Sequence, residues 1–225
     1  MRSFVFLLAF PALAQTPLFG PDLMSRWHIS EVNHHGNTKA WKFENGVLSV
    51  TQDTPGNGGI LLTNKTYKNF EVTIEIKPDY GCDGGLFLRS TEKGEAYQVL
   101  IDYLDGGTVA GIYGERLPEL NKNEPAEGRI PPAEGGIRKG WRDFWKKDDW
   151  NTLRARIEGD VPHIQVWLNG HQTVDWTAKK NYLPGGATSG MIALQTHRTN
   201  PEGKNQRWVP GGFHRYRNMT VRELP

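Results

Sequence analysis

The chain has 225 residues, a net charge of +2 and eight tryptophans. Its 27 basic and 25 acidic residues are interspersed, which argues against nucleic acid as a partner. The single cysteine, Cys82, excludes an intramolecular disulfide, so the fold depends on its hydrophobic core, and we expect this thiol to be a buried packing residue.

The first residues resemble an export signal. One positive charge, an apolar run over residues 4–10 and a small-residue cleavage pattern at the end of Met1–Ala14 are typical of a secretory signal peptide. The apolar run is too short to cross a bilayer, so we expect no membrane span. We predict a periplasmic or secreted protein with one mature domain over residues 15–225, because all-β domains of about 200–250 residues are common.

Short strands follow one another along the mature chain. The segment Trp41–Val50 contains Asn45-Gly46, and Asn169-Gly170 separates two further alternating segments. Asn-Gly is the dipeptide that favours a two-residue hairpin turn. About 10–13 such strands, with turns between them and no long helical pattern, predict an all-β, two-sheet antiparallel sandwich.

The most regular segment is Asn69–Ser90, which is followed closely by Tyr97–Asp102. Apolar and polar residues alternate along its first strand, as in a strand with one face in a core. Glu75, Arg89 and Asp102 would converge if three neighbouring strands paired in register. Glu75 is an equally good candidate for a solvated charge on an outer sheet face, and Asp102 for a turn residue at a strand end.

Carboxylates and a histidine are the candidate acid–base groups. Two carboxylates that face the same way, such as Glu75 and Asp102, are the minimum for acid–base chemistry on a glycoside. Gln195 and His197 lie two apart on a strand and point the same way, and a histidine can exchange a proton near neutral pH. A structural role is the more common one for a single strand histidine.

The longest break in the strand pattern is 115–147, which is rich in proline and glycine. A connection of this length in a compact domain is uncommon unless it is functional or disordered. Trp141 and Trp145 argue for order, so we interpret the segment as a lid or rim over a binding face. These two rings are candidate sugar-stacking groups, although tryptophans that pin a loop to the sandwich are as common.

Metal signatures are incomplete. The segments 79–83 and 102–105 place aspartates near glycines, but neither has the spacing of a calcium loop. We therefore predict no metal or other cofactor, and a divalent ion stays an open alternative.

Several motifs together resemble the 3-keto-disaccharide hydrolase family, whose domain is also described as a 3-keto-glucoside lyase/hydratase. They lie at residues 18–23, 41–48, 59–72, 84–90, 111–114, 150–151, 168–170, 192–197 and 216–219. The resemblance implies a concanavalin-like jelly roll and bacterial export. It also implies a saccharide substrate whose C3 hydroxyl has been oxidised to a ketone by a separate oxidoreductase.

The resemblance implies a site that removes the C2 proton and expels the group at C1. On this basis we assign Glu75 and Asp102 as base or acid, Arg89 and His197 as enolate or leaving-group stabilisers, and Gln98, Tyr113 and Gln195 as sugar-binding groups. The family usually has Asn-Ser-Gly where this chain has Asp83-Gly84-Gly85, so a serine hydroxyl is missing there. The alternatives are a non-catalytic carbohydrate-binding module and a protein-interaction domain on the same sandwich.

Overall fold

The computed structural model describes residues 14–124, 140–200, 202–203 and 206–225. The predicted signal segment Met1–Ala14 lies outside the described residues except for Ala14. The middle of the predicted lid, residues 125–139, lies outside them as well. Within the described part of the chain, every helix is too short or too polar to cross a membrane.

The described residues form fourteen strands and a few short helices. The strands are β1 (Thr16–Pro17), β2 (Trp27–Ile29), β3 (Lys42–Glu44), β4 (Val47–Val50), β5 (Gly59–Tyr67), β6 (Phe70–Ile76), β7 (Gly84–Ser90), β8 (Ala96–Ile101), β9 (Val109–Glu115), β10 (Asn151–Glu158), β11 (His163–Leu168), β12 (His171–Thr177), β13 (Gly190–Thr196) and β14 (His214–Glu223). The helices are α1 (Leu23–Arg26), α2 (Pro118–Asn123) and single 3₁₀ turns at Trp141–Asp143 and Pro184–Gly186.

The strands make two antiparallel sheets. The eight-stranded sheet has the order β12-β11-β10-β6-β14-β4-β3, with β1 paired to β14. The six-stranded sheet has the order β2-β5-β13-β7-β8-β9. The two sheets share one hydrophobic core, to which Ile74 and Leu153 contribute from the first sheet and Leu86 and Leu194 from the second. The predicted all-β, two-sheet jelly-roll sandwich is confirmed.

Both predicted hairpin turns are present. Asn45 and Gly46 join β3 to β4 with φ values of 51° and 78°. Asn169 and Gly170 join β11 to β12 with φ values of 51° and 86°. Positive φ at both central positions is the geometry that an Asn-Gly hairpin turn requires.

The connection between β6 and β7 divides the predicted site residues between the two sheets. These strands are consecutive in sequence but lie in different sheets, because β6 pairs with β10 and β14 whereas β7 pairs with β13 and β8. The expected convergence of Glu75 with Arg89 and Asp102 on three neighbouring strands is therefore wrong. The free face of the six-stranded sheet carries the polar groups instead.

Candidate functional site

A group of polar side chains, called here the polar cluster, lies on the face of the six-stranded sheet that points away from the core. Its members come from β8, β9 and β13, from residues next to the ends of strands β7, β8 and β13, and from two loops. They are His34, His35, Asp83, Gln98, Asp102, Tyr113, Glu115, Gln195, His197 and Arg207. A small apolar cluster of Ile60, Leu62, Phe87, Ala96 and Ala193 also lies on this sheet, apart from the main core.

Gly85 leaves space for the buried bottom of the polar cluster, called here its floor, which consists of the side chains of Gln98 and Gln195. Gln98 pairs with Phe87 across the sheet, and Gln195 pairs with Gly85. Because Gly85 has no side chain, the Gln98 amide crosses over it and donates to Gln195 Oε1 at 2.9 Å. A Cβ atom on Gly85 would lie 2.4 Å from Gln98 Nε2. The contact between the two glutamine side chains therefore depends on the missing side chain of Gly85.

Two adjacent histidines meet a glutamate above this floor. His34 and His35 precede β3, and Glu115 ends β9. The Nε2 atoms of both histidines lie 3.2 Å from the same Glu115 oxygen, Oε1. The side chains of His35 and Glu115 are almost inaccessible, whereas one third of the His34 side chain is exposed. These three side chains thus extend from the buried bottom of the polar cluster to the protein surface.

Burial controls the charge of these three groups. It lowers the pKa of His35 to about 3 and, together with the charge of His35, lowers the pKa of His34 to about 4. It also raises the pKa of Glu115, an effect that Asp83 reinforces. Desolvation penalises the charged form of each group, so both imidazoles are neutral at neutral pH and keep a free lone pair.

A second part of the polar cluster consists of two aspartates and an arginine. Arg207 donates through Nε to Asp83 Oδ2 and through an NH2 group to Asp102 Oδ2 at 3.1 Å. Burial raises the pKa of Asp102 well above its ordinary value, and the adjacent Asp83, which hydrogen-bonds to it, raises it further. Two adjacent carboxylates repel each other when both are ionised, so the pair retains one proton at neutral pH.

His197 lies beside the aspartate pair at the end of β13. Its Nδ1 atom contacts the carbonyl oxygen of Arg198, which can only accept, so Nδ1 carries the proton. The Nε2 atom then has the lone pair, and it lies 3.9 Å from Asp83 Oδ2. A quarter of the side chain is exposed. His197 therefore presents a basic nitrogen at the surface of the polar cluster, with its ring 4.9 Å from that of His35.

Tyr113 forms the open edge of the polar cluster. It pairs with Gln98 across β8 and β9 and is 44% exposed. Burial and the nearby Glu115 raise the pKa of Tyr113, so its hydroxyl stays a hydrogen-bond donor. The charge of Arg207 acts in the opposite direction and lowers the pKa of this hydroxyl.

Five of the predicted site residues come together. They are Gln98, Asp102, Tyr113, Gln195 and His197, and all five belong to the polar cluster. Glu75 does not, because it lies on the outer face of the eight-stranded sheet in an ion pair with Arg217. The Arg217 guanidinium in turn lies 4.2 Å from the Trp150 ring. The alternative of a solvated charge on an outer face thus describes where Glu75 lies.

Arg89 is also separated from the polar cluster, because a β-bulge redirects it. Between the pairs Phe87–Ala193 and Ser90–Met191, β7 contains one residue more than β13, and Arg89 has a φ of 55°. An extra residue shifts the side-chain alternation of a strand, so Arg89 no longer shares the face of Phe87.

The guanidinium of Arg89 is fully buried and joins the two sheets. It donates to the carbonyl oxygen of Lys68 and to Asn69 Oδ1, in the connection between β5 and β6, and to the carbonyl oxygen of Gly159, in the turn between β10 and β11. These three hydrogen bonds stabilise the two connections and involve no member of the polar cluster. Arg89 therefore has a structural role.

Trp141 and Trp145 pack on the end of the core. Their rings lie 5.8 Å apart, and each contacts Tyr103, at 6.3 and 4.8 Å. Tyr103 follows Asp102, so the two tryptophans lie at the end of β8 and anchor the last part of the predicted lid. Their described ring contacts are with each other, Tyr103 and Arg142.

Sequence reasoning missed five members of the polar cluster. They are His34, His35, Asp83, Glu115 and Arg207. Glu115 was within reach of the alternation rule, since it lies two residues after Tyr113 and on the same strand face. The tandem His34-His35 and the aspartate before Gly84-Gly85 are visible in the sequence, but only the folded loops bring them to β9 and β13. Arg207 has no local signal.

A comparison with models of known families shows to which family the chain belongs. The model of the 3-keto-alpha-glucoside-1,2-lyase-like domain matches residues 14–222, which is nearly the whole chain. The chain belongs to this family, which consists of glycosidase-like and carbohydrate-binding domains. The family resemblance in the sequence is thereby confirmed. No curated protein matches the chain significantly.

Solved structures share the fold. A protein from Parabacteroides distasonis, provisionally assigned as a glycosyl hydrolase, is 21% identical with a TM-score of 0.60, and the match covers 94% of this chain and 100% of that one. The carbohydrate-binding module CBM66 from Bacillus subtilis is 13% identical, with a TM-score of 0.52 and coverages of 88% and 95%. The alginate lyase Aly36B is 16% identical, with a TM-score of 0.52 and 93% of each chain covered. At these identities the likeness concerns the fold, which carries both enzymes and binding modules.

Proposed function

We propose that the protein is an exported enzyme that cleaves 3-keto-glycosides by removing the C2 proton and expelling the group at C1. The family supports a carbohydrate substrate. One observation carries the chemistry: an imidazole with a free Nε2 lone pair lies beside a proton-holding aspartate pair and an arginine, on one face of one sheet. A base, an acid and an oxyanion stabiliser are thus within reach of one bound sugar ring.

His197 is the proposed base. A ketone at C3 acidifies the hydrogen at C2, since the electron pair left behind is delocalised onto the ketone oxygen as an enolate. The Nε2 atom of His197 accepts this proton, and its Nδ1–H bond to the Arg198 carbonyl keeps the imidazole oriented. A positioned base of this kind contributes about 10²–10⁴-fold to a rate.

Arg207 and Tyr113 are the proposed stabilisers of the enolate oxygen. The guanidinium has five N–H donors, and the aspartates use only part of them, so donors remain for a substrate oxygen. The Tyr113 hydroxyl lies at the same exposed edge and stays protonated, because burial and Glu115 raise its pKa. Charge that develops in a partly dried site is stabilised more strongly than in water.

The aspartate pair supplies the proton for the leaving group. Asp102 retains a proton at neutral pH, because burial and Asp83 raise its pKa. When the enolate expels the C1 substituent, the C1–O bond breaks, a C1–C2 double bond forms, and the departing oxygen takes up a proton from this pair. The products are an enone sugar and the free aglycone, and neither water nor an oxidant is consumed. Later addition of water would give the 3-keto sugar, which is the net result of hydrolysis.

The substrate for this reaction must first be oxidised at C3. Nothing in the elimination itself makes a ketone, so a separate oxidoreductase is the proposed supplier. The predicted export signal Met1–Ala14 would locate the elimination in the periplasm or outside the cell.

The test is aglycone release from 4-nitrophenyl 3-keto-glucoside and from the unoxidised glucoside. We expect turnover of the 3-keto compound alone. His197→Gln should lower kcat/KM by about 10²–10⁴-fold and Arg207→Met by about 10²–10³-fold. His171→Gln is the matched control, because His171 stacks on Phe144 at 4.0 Å and lies on the other sheet. In D₂O, substrate recovered before completion should carry deuterium at C2 if proton removal is reversible.

Two results would contradict the proposal. Equal cleavage of the unoxidised glucoside would show that the ketone is not needed. Binding of the oxidised sugar without turnover, measured by calorimetry, would favour the carbohydrate-binding module, and Trp141→Ala and Trp145→Ala would then weaken binding while the His197 substitution would not.

A further inference from the structure

A chain of amides fixes the orientation of His35. The carbonyl oxygen of Gly84 can only accept, so the group of Gln98 that faces it is the NH₂ group, at 3.3 Å. That NH₂ group also donates to Gln195 Oε1, so the NH₂ group of Gln195 faces His35. One backbone carbonyl thereby determines how two buried glutamine side chains are oriented.

The Gln195 amide lies over the His35 ring. Its nitrogen is 2.8 Å from Nε2 and 3.3 Å from Nδ1. An atom on the in-plane axis of one ring nitrogen would be much farther from the other nitrogen, and an in-plane atom between the two nitrogens would collide with the ring carbon there. The Gln195 nitrogen therefore lies above the plane of the ring. The in-plane position at Nε2 is thus left for Glu115, whose Oε1 atom is 3.2 Å away.

Glu115 and the two histidines converge on one point. The Glu115 Oε1 atom lies 3.2 Å from Nε2 of both His34 and His35, and the side chains of His35 and Glu115 are almost inaccessible. Buried ionisable groups in proteins are paired or coordinate metals.

We propose that His34 Nε2, His35 Nε2 and Glu115 Oε1 bind a first-row divalent transition-metal ion, with zinc as the reference. One potential ligand atom from each of the three residues lies within 4.8 Å of the other two. Metal–ligand bonds of about 2.0–2.1 Å in a tetrahedral shell separate neighbouring ligands by about 3.4 Å, close to the two distances of 3.2 Å.

The donor set and its surroundings suit this class of ion. Imidazole nitrogens select transition metals over magnesium and calcium, which prefer oxygen alone. Three protein ligands leave a coordination position open toward the exposed side of His34, as in zinc sites that bind water or substrate. The Gln195 amide, held by Gln98 and Gly84, packs over the ring of the buried ligand His35 and so restricts the orientation of that ring.

The ion would lie beside the proposed base, since the rings of His35 and His197 are 4.9 Å apart. There it could polarise the C3 carbonyl of the sugar, and this role rests on the proposed elimination. Binding of the ion does not, because it depends only on the three ligands.

The test is calorimetric titration of ZnCl₂ into EDTA-treated, dialysed protein. We expect one site, with MgCl₂ giving no comparable heat. His34→Gln and Glu115→Gln should each weaken zinc binding by more than about 100-fold, since loss of an outer partner alone costs about 10–100-fold. The control is His163→Gln, which removes a histidine–carboxylate pair of 2.7 Å that is more than one third exposed, and it should leave the affinity unchanged.

A second measurement needs no substitution. Co²⁺ added to the unmodified protein should give visible absorption typical of nitrogen and oxygen ligands in a low-coordinate site, and Zn²⁺ should displace it. Absence of zinc binding, or equal loss of binding in His163→Gln, would overturn the proposed site. Zinc binding with turnover unchanged by EDTA would support the site and overturn its role on the carbonyl.

Discussion

Burial acts in opposite directions on the acids and bases of the polar cluster. It raises the pKa of Asp102 and lowers the pKa of His35 to about 3, and in both cases the neutral form is favoured. The physical cause is the same, since an ion loses its hydration when it is buried whatever its sign. At the scale of single residues, therefore, the polar cluster carries less charge at neutral pH than its composition suggests.

The first prediction concerns Asp102→Asn and the pH dependence of stability. The folded pKa of Asp102 is raised above its unfolded value, so between the two values the folded state binds more protons than the unfolded state. Its contribution to the free energy of unfolding therefore falls as pH rises through that window. We expect wild type to lose more stability than the variant between about pH 5 and about pH 8 in urea titrations. Parallel losses would show that Asp102 does not hold the proton.

The second prediction concerns the buried arginine that the structure separates from the polar cluster. Arg89→Met leaves the carbonyl oxygens of Lys68 and Gly159 without their donor. We expect a loss of about 3 kcal/mol or more in the free energy of unfolding, because Arg89 is fully buried and each hydrogen bond that involves a charged group contributes about 1.5–3 kcal/mol.

Arg217→Met is the control for this prediction. Its ion pair with Glu75 is partly exposed, so the expected loss is about 1 kcal/mol or less. Chemical denaturation of both variants provides the comparison. A loss of the same size in both would mean that the turns do not depend on Arg89.

At the scale of elements, strand β7 determines what each face of the six-stranded sheet carries. Its glycine at position 85 admits the Gln98 amide to the floor of the polar cluster, and the bulge at Arg89 sends the next polar side chain to the opposite side of the sheet. One strand thus contributes to the candidate site at its beginning and to the contact between sheets at its end.

The third prediction is Gly85→Ala. The new Cβ atom would lie 2.4 Å from Gln98 Nε2, so the glutamine must move and break its bond to Gln195. We expect a loss of about 1–3 kcal/mol in stability, typical of overpacking, and weaker zinc binding because His35 loses its orientation. Gly140→Ala, where no atom of the described residues lies within 4 Å of the added Cβ, should stay within about 0.5 kcal/mol of wild type. A wild-type zinc affinity in Gly85→Ala would contradict the role of the amide chain.

At the scale of the whole molecule, both sheets share one core. Buried residues of β6, β10, β7 and β13 belong to the same cluster, and the second apolar cluster on the outer side of the six-stranded sheet is small. An arrangement of this kind provides no boundary at which one part could unfold while the other stays folded. The single mature domain over residues 15–225 stays a prediction.

The fourth prediction tests that cooperativity. Leu153→Ala in the eight-stranded sheet and Leu194→Ala in the six-stranded sheet each remove a fully buried side chain. We expect each to shift one common unfolding transition by about 2–5 kcal/mol, seen at the same denaturant concentration by fluorescence and by circular dichroism. Two separated transitions, or a shift in only one probe, would mean that the sheets unfold independently.

Much of the fold could be read from local patterns. The Asn-Gly pairs define two hairpins, and alternation along Phe70–Ile76 defines a strand with one buried face. The same rule, applied two residues beyond Tyr113, points to Glu115. These features depend on neighbours in sequence, and for that reason composition and spacing are sufficient to predict them.

The candidate site depended on contacts between distant segments. The sequence by itself determined a β-sandwich of the family and placed Asp102 and His197 among its polar groups. Only the tertiary structure decided that Glu75 lies on the other sheet, that a bulge removes Arg89, and that the polar cluster is completed by residues far apart in the chain: His34, His35, Asp83 and Arg207. The physical reason is that alternation specifies the face of a strand but not its partner, and strand pairing is set by the burial of the whole core.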